Sequence, residues 1–215
     1  MTDYTFTIPE LQVPKEFSIW IDKESSDQQK QIQQFLGNTI YNQNQSDFAV
    51  ELAHHDYIKL IREWANDTFN IPIANAFHVR TAPNKNGIWH CEGPTLSSRR
   101  MAFNFLVKGE PGNTGSQWGI NPEWATTRSP LDESAERYGQ IKPENQSKVE
   151  VMGEHTNNTM YECFAYNTTI LHRSINEHSS TERVLLSLTI PEKFSMALVQ
   201  KMYNEGNKIE ESAKE

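Results

Sequence analysis

From Ala76 onward the chain breaks into short runs dense in aromatic and β-branched residues, each closed by a polar, turn-like stretch: "AFHVRTA", "RRMAFNFLV", "TMYECFAY", "NTTILH" and "RVLLSLTI". Runs this short cannot make a helical bundle. They predict strands of a sandwich or barrel, because branched and aromatic side chains suit a pleated, half-buried surface. Helical texture lies before and after them. "SSDQQKQIQQFLGN" predicts a helix opened by Ser25, Ser26 or Asp27 and closed by Gly37. Phe48, Leu52, Ile58, Ile61 and Trp64 predict a stronger helix from about Asp47 to Thr68. "PEKFSMALVQKMYNEGNKIEESAKE" begins as an amphipathic helix and ends in a charged tail. The expectation is one α+β domain over residues 1–215, with a helical buttress over about 1–70, a β core over about 76–190 and a C-terminal helix and tail over 191–215. The segment between Gly109 and Lys148 has little periodicity, which predicts a lid or binding loop over 110–147.

Bulk properties exclude some functions. A formal net charge of -8 disfavours a nucleic-acid surface, which needs concentrated positive charge to displace counterions from phosphates. No stretch is apolar for long enough to span a bilayer, and "MTDYTFTIPELQVPKEF" has no signal-like apolar core, so a cytoplasmic protein is expected. Cys91 and Cys163 form no metal-spacing motif and are read as buried thiols. Oligomeric state is not legible.

Chemistry begins at "NGIWHCEGPT", where His90 and Glu92 flank Cys91. With seven His and 28 acidic residues in 215 positions, about one His-x-acid match arises by chance. His54 and Asp56 are such a match, but in the expected helix residues two apart do not face each other. In an extended segment they do, so His90 and Glu92 can meet one cation while Cys91 faces away. The distal stretch "NTTILHRSINEHSSTERVLLSLTI" adds a run ending in His172, a polar loop, and Arg183 opening another strand, like a hairpin with a His and an Arg at its mouth. Two imidazoles and one carboxylate on one face leave open coordination positions, the facial triad of non-haem Fe(II) oxygenases.

His-x-Glu, a distal His and an Arg eleven residues beyond it together resemble the Fe(II)/2-oxoglutarate-dependent oxygenases over roughly residues 76 to 190. Most members carry Asp where this chain has Glu92; either supplies a carboxylate. The resemblance implies a double-stranded β-helix, a jelly-roll or cupin-like barrel buttressed by N-terminal helices. It implies Fe(II) held by His90, Glu92 and His172, with 2-oxoglutarate as cosubstrate anchored by Arg183. It also implies O2 as co-reactant and, most often, hydroxylation; the expected substrate is a small molecule or a protein side chain, while the acidic charge and the lack of a spanning stretch argue for no nucleic acid and no membrane.

Strand parity extends the pocket. In "RRMAFNFLV", Met101, Phe103, Phe105 and Val107 form an apolar face, against the mixed face of Arg100, Ala102, Asn104 and Leu106. In the last strand Val184, Leu186, Leu188 and Ile190 oppose Arg183, Leu185, Ser187 and Thr189. Ser187, Thr189, Asn104 and Tyr166 are thus candidate cosubstrate contacts, with Arg100 touching cosubstrate or substrate. Counting back from His172, Tyr166 should share its face. His178 is the rival distal ligand, in a loop; His78 reads as packed, and His155, in turn-like "GEHTNNT", as incidental. Trp89, Trp118 and Trp124 read as core or loop anchors, the last two inside the expected lid. Two other readings stand: a cupin-type metalloenzyme that does not use 2-oxoglutarate, with Arg183 structural, and a non-catalytic β-sandwich with satisfied histidines.

Overall fold

A computed structural model describes residues 5–17, 47–51, 56–69, 73–91, 101–120, 139–140, 143–168, 170–191 and 196–204. Among these, eleven strands form two antiparallel sheets. The strands are β1 (Thr5–Gln12), β2 (Asp47–Glu51), β3 (Asn75–Thr81), β4 (His90–Cys91), β5 (Met101–Lys108), β6 (Gly115–Ile120), β7 (Gly139–Gln140), β8 (Glu150–Thr156), β9 (Glu162–Asn167), β10 (His172–Ile175) and β11 (Arg183–Thr189). The six-stranded sheet runs β1-β9-β5-β11-β3-β2 and the five-stranded sheet β7-β4-β10-β6-β8. From β3 to β6, and again from β8 to β11, successive strands alternate between the sheets.

Period-two alternation explains how the large sheet is buried on both sides. Met101, Phe103, Phe105 and Val107 of β5 and Val184, Leu186 and Leu188 of β11 point away from the small sheet, into one apolar cluster. That cluster is covered by α1 (Asp56–Phe69) through Ile61 and Ala65, and by α2 (Met196–Asn204) through Met196 and Val199. Residues 61, 64 and 65 make one helical face, and Trp64 meets Phe105 edge-on at 5.7 Å. Each fully buried Phe contributes about 1.5–3 kcal/mol. The opposite faces of the same strands look between the sheets. There Leu106, Phe164 and Leu185 make a second, smaller cluster beside Asn104, Ser187 and Arg183.

Several expectations are corrected. Asp47–Glu51 is a strand, not the start of a helix, which begins at Asp56. The spacing of Phe48 and Leu52 suits a helix and that of Phe48 and Val50 a strand; the otherwise open edge of β3 decides it. The N-terminal third therefore supplies two edge strands, β1 and β2, as well as a helix. The helix expected over 25–37 and the His54–Asp56 pair fall on positions whose side chains lie outside the described residues. "NTTILH" is not one strand: β9 stops at Asn167 and His172 opens β10. β10 and β11 belong to different sheets, so the anticipated hairpin is a crossing between layers.

The segment 110–147 is not structureless. It contains β6, an inner strand of the small sheet, and β7; residues 121–138 lie outside the described set. Its two glycines and polar side chains hid β6 from a reading based on hydrophobicity. Gly115 is required there, because a Cβ would run into the His155 carbonyl on β8.

Candidate metal and carboxylate site between the sheets

Register places the functional side chains in rows across the small sheet. His90, His172, Trp118 and Gly153 are successive cross-strand partners on β4, β10, β6 and β8. Two residues along, Ser174, Ser116 and His155 form the next row on β10, β6 and β8. Residues two apart on a strand share a face at a spacing of about 6.7 Å.

The first row holds the two histidines. Their rings lie side by side, centroids 4.3 Å apart. His90 Nδ1 lies 2.9 Å from the Ile88 carbonyl and His172 Nδ1 lies 2.7 Å from the Ile170 carbonyl. A carbonyl oxygen only accepts, so each Nδ1 carries the proton and donates it. In a neutral ring of this tautomer Nε2 keeps the lone pair. His172 is 4% exposed, and its Nε2 has no hydrogen-bond partner among the described residues. Burial, and secondarily the neighbouring His90, holds its pKa well below the ordinary histidine value. His172 is therefore neutral at pH 7, as a metal ligand must be. Tyr166 meets it edge-on at 5.1 Å and Trp118 lies 6.2 Å from Tyr166. Tyr166 reaches His172 from the opposite sheet rather than along one strand, which corrects the parity argument that paired them.

Arg183 reaches the second row from the opposite sheet. It is 1% exposed at the start of β11, and its Nη2 donates to Ser116 Oγ at 3.2 Å. Thr81 Oγ1 donates to Ser174 Oγ at 3.0 Å, a second bridge between the sheets at this level. On the large sheet, Asn104 and Ser187 are direct partners on β5 and β11. Asn104 is 1% exposed, and neither amide atom has a partner among the described residues. Leaving such a group unpaired costs about 1–3 kcal/mol. Thr189 does not fit this role: its hydroxyl accepts from Asn75 N at 3.0 Å and donates to Asn75 O at 3.2 Å.

Glu92 and Arg100 lie outside the described residues. Among the described residues no group of three His, Cys, Asp or Glu side chains converges on one point. His178, the rival to His172, is 74% exposed on the β10–β11 connection beside Glu177. His78 is buried on β3, and Cys163 is a buried free thiol whose pKa burial raises. Trp118, expected in a lid, is buried in the site row. Two residues were missed. Ser116 offered no signal without knowing that "GSQWGI" is a strand. His155, dismissed as part of a turn, lies on β8 and stacks on Phe164 at 4.5 Å. The alternation of Gly153 and His155 with Glu154 is the one trace the sequence held.

No family model matches the chain, and no curated protein matches it. Similar solved structures include HygX from Streptomyces hygroscopicus with nickel and 2-oxoglutarate bound, at 10% identity over 89% of this chain and 84% of that one, with a TM-score of 0.47. Another is SnoK, a non-heme alpha-ketoglutarate-dependent carbocyclase from nogalamycin biosynthesis, at 9% identity over 87% and 79%, TM-score 0.49. A third is a prolyl hydroxylase from Trichoplax adhaerens in complex with a hypoxia-inducible-factor peptide fragment, at 10% identity over 89% and 85%, TM-score 0.49. Likeness at this level assigns no residue a role.

Proposed function

We propose that this chain is an Fe(II)- and 2-oxoglutarate-dependent oxygenase built on a double-stranded β-helix, acting on a small molecule or a protein side chain. The observation that carries the reading is the pair of adjacent imidazoles, each with its Nδ1 on a backbone carbonyl, which leaves Nε2 as the nitrogen that would ligate. Ligating histidines are typically oriented by such a bond on the other nitrogen. The alternation of strands between two sheets supports this fold, and it accounts for residues 82 positions apart in sequence meeting in one row.

In this reading His90 and His172 hold the metal, with Glu92, two residues after His90, as the third ligand. When bound, Fe(II) would supply O2 activation coupled to oxidative decarboxylation of 2-oxoglutarate to succinate and CO2. The chain's own residues do the rest. Arg183 receives the remote carboxylate of the cosubstrate through its planar, bidentate fork. Asn104 and Ser187 would add hydrogen bonds to the ligand, and the Tyr166 ring packs edge-on against His172.

The test is anaerobic reconstitution with Fe(II) followed by titration with 2-oxoglutarate. A visible charge-transfer band that saturates, and succinate formation on admitting O2, are the expected results. Metal binding without any response to 2-oxoglutarate would favour the cupin-type reading. Absence of stoichiometric metal binding would favour a non-catalytic sandwich.

A further inference from the structure

We propose that His155 is a second, proton-coupled contact for the remote carboxylate of the bound dicarboxylate, taking up a proton as the ligand settles beside Arg183. The inference rests on the reading above and deepens it at one subsite.

Three features place the imidazole at that subsite. His155 is the cross-strand partner of Ser116, the residue that receives the Arg183 guanidinium. Its ring is stacked nearly parallel on Phe164, 4.5 Å between centroids and 25° between planes, which places it between the sheets. Phe164 is in turn the cross-strand partner of Asn104, whose amide atoms have no partner among the described residues. Cross-strand pairing thus puts His155 in one row with the Ser116 hydroxyl that receives Arg183, and faces it with Phe164 and the neighbouring Asn104 on the large sheet.

The charge balance around the imidazole sets the direction of the coupling. Among the described residues, the charged groups acting on His155 are Arg183 from β11 and Glu162 from β9, while β6 contributes the uncharged Ser116. Burial, then Arg183, lowers the imidazole to about 4, with Glu162 opposing weakly. Without ligand the imidazole is therefore neutral at pH 7. A carboxylate bound against Arg183 reverses this. It offsets the guanidinium's repulsion and gives a protonated imidazole an anionic partner, so the bound-state pKa rises. Binding then takes one proton from the buffer onto the imidazole; no other bond changes. The sign follows: between about pH 4 and the raised bound-state pKa, affinity falls as pH rises, approaching tenfold per pH unit where a whole proton is taken up. The 2-oxoglutarate carboxylates are already ionised above about pH 5 and do not produce this slope.

The experiment uses Zn(II)-loaded protein, which binds 2-oxoglutarate without turnover. Isothermal titration calorimetry is run between pH 6 and 8 in two buffers of different ionisation heat, for wild type and for His155→Gln, with His155→Asn as a second variant should the first not fold. Wild type is expected to take up a proton near pH 6 and to weaken with rising pH; the variants should take up none and show a flat profile. Normal 2-oxoglutarate binding by wild type with no uptake overturns the His155 assignment and leaves the oxygenase reading standing. Equal uptake in wild type and variants does the same. Failure of the Zn(II)-loaded wild type to bind 2-oxoglutarate removes both.

Discussion

Replacing Arg183 by alanine separates cosubstrate binding from metal binding. The guanidinium is 1% exposed and directed across the sandwich onto Ser116 Oγ, one row from the histidine pair. A carboxylate docked there gains charge-assisted hydrogen bonds, each contributing about 1.5–3 kcal/mol. Counting a single bond's worth, since water can enter the vacated space, the loss corresponds to about 10- to 150-fold in affinity at about 1.4 kcal/mol per decade. Arg183→Lys should fall between, because the charge survives while the fork does not. Ser116→Ala removes only a neutral acceptor, worth about 0.5–1.5 kcal/mol, so a loss of up to roughly tenfold is expected. Fe(II) affinity should be unchanged in all three. The assay is anaerobic titration of 2-oxoglutarate into Fe(II)-loaded protein, read by the charge-transfer band, with a competing chelator reporting Fe(II) affinity. Wild-type 2-oxoglutarate affinity in Arg183→Ala would refute the anchor and leave the cupin-type enzyme ahead. Parallel loss of Fe(II) would mean that Arg183 holds the sheets together rather than the ligand.

His172→Ala should abolish stoichiometric Fe(II) binding, while His178→Ala, on an exposed connection, should leave it intact; metal analysis of the purified proteins decides, and the reverse outcome would move the distal ligand to His178. Asn104→Leu should raise the melting temperature of the ligand-free protein, since it removes buried amide atoms without partners among the described residues, at a gain of about 1–3 kcal/mol. The same variant should lose part of the stabilisation that 2-oxoglutarate and metal confer on wild type; a lowered melting temperature without ligand would show that the amide serves the fold. Gly115→Ala should destabilise the protein because the added Cβ meets the His155 carbonyl backbone-on-backbone, at about 1–3 kcal/mol for overpacking. Denaturant melts read it, and an unchanged midpoint would mean that β6 and β8 part easily.

What could be read from the sequence was what depends on neighbours two to four residues away. Alternation in β5 and β11 assigned Met101, Phe103, Phe105 and Val184, Leu186, Leu188 to one face and Asn104 and Arg183 to the other, and the two apolar clusters divide in that way. The amphipathic spacing in α1 and α2 was equally visible, as was the extended conformation at His90. What needed the tertiary structure was every relation set by pairing at a distance. Asp47–Glu51 became a strand because β3 offered it an edge. β6 and β8 were unreadable because their glycines and polar side chains suit a small-sheet face beside a polar interior, not a hydrophobic core. His172 could be named from its chain position, but its tautomer, its neutral state and its contact with Tyr166 follow from the crossing that carries it into the other sheet. His155 shows the limit most plainly: its sequence neighbours are turn-like, and only cross-strand register with Ser116 brings it to Arg183, because charge and burial in a sandwich are set by residues dozens of positions away.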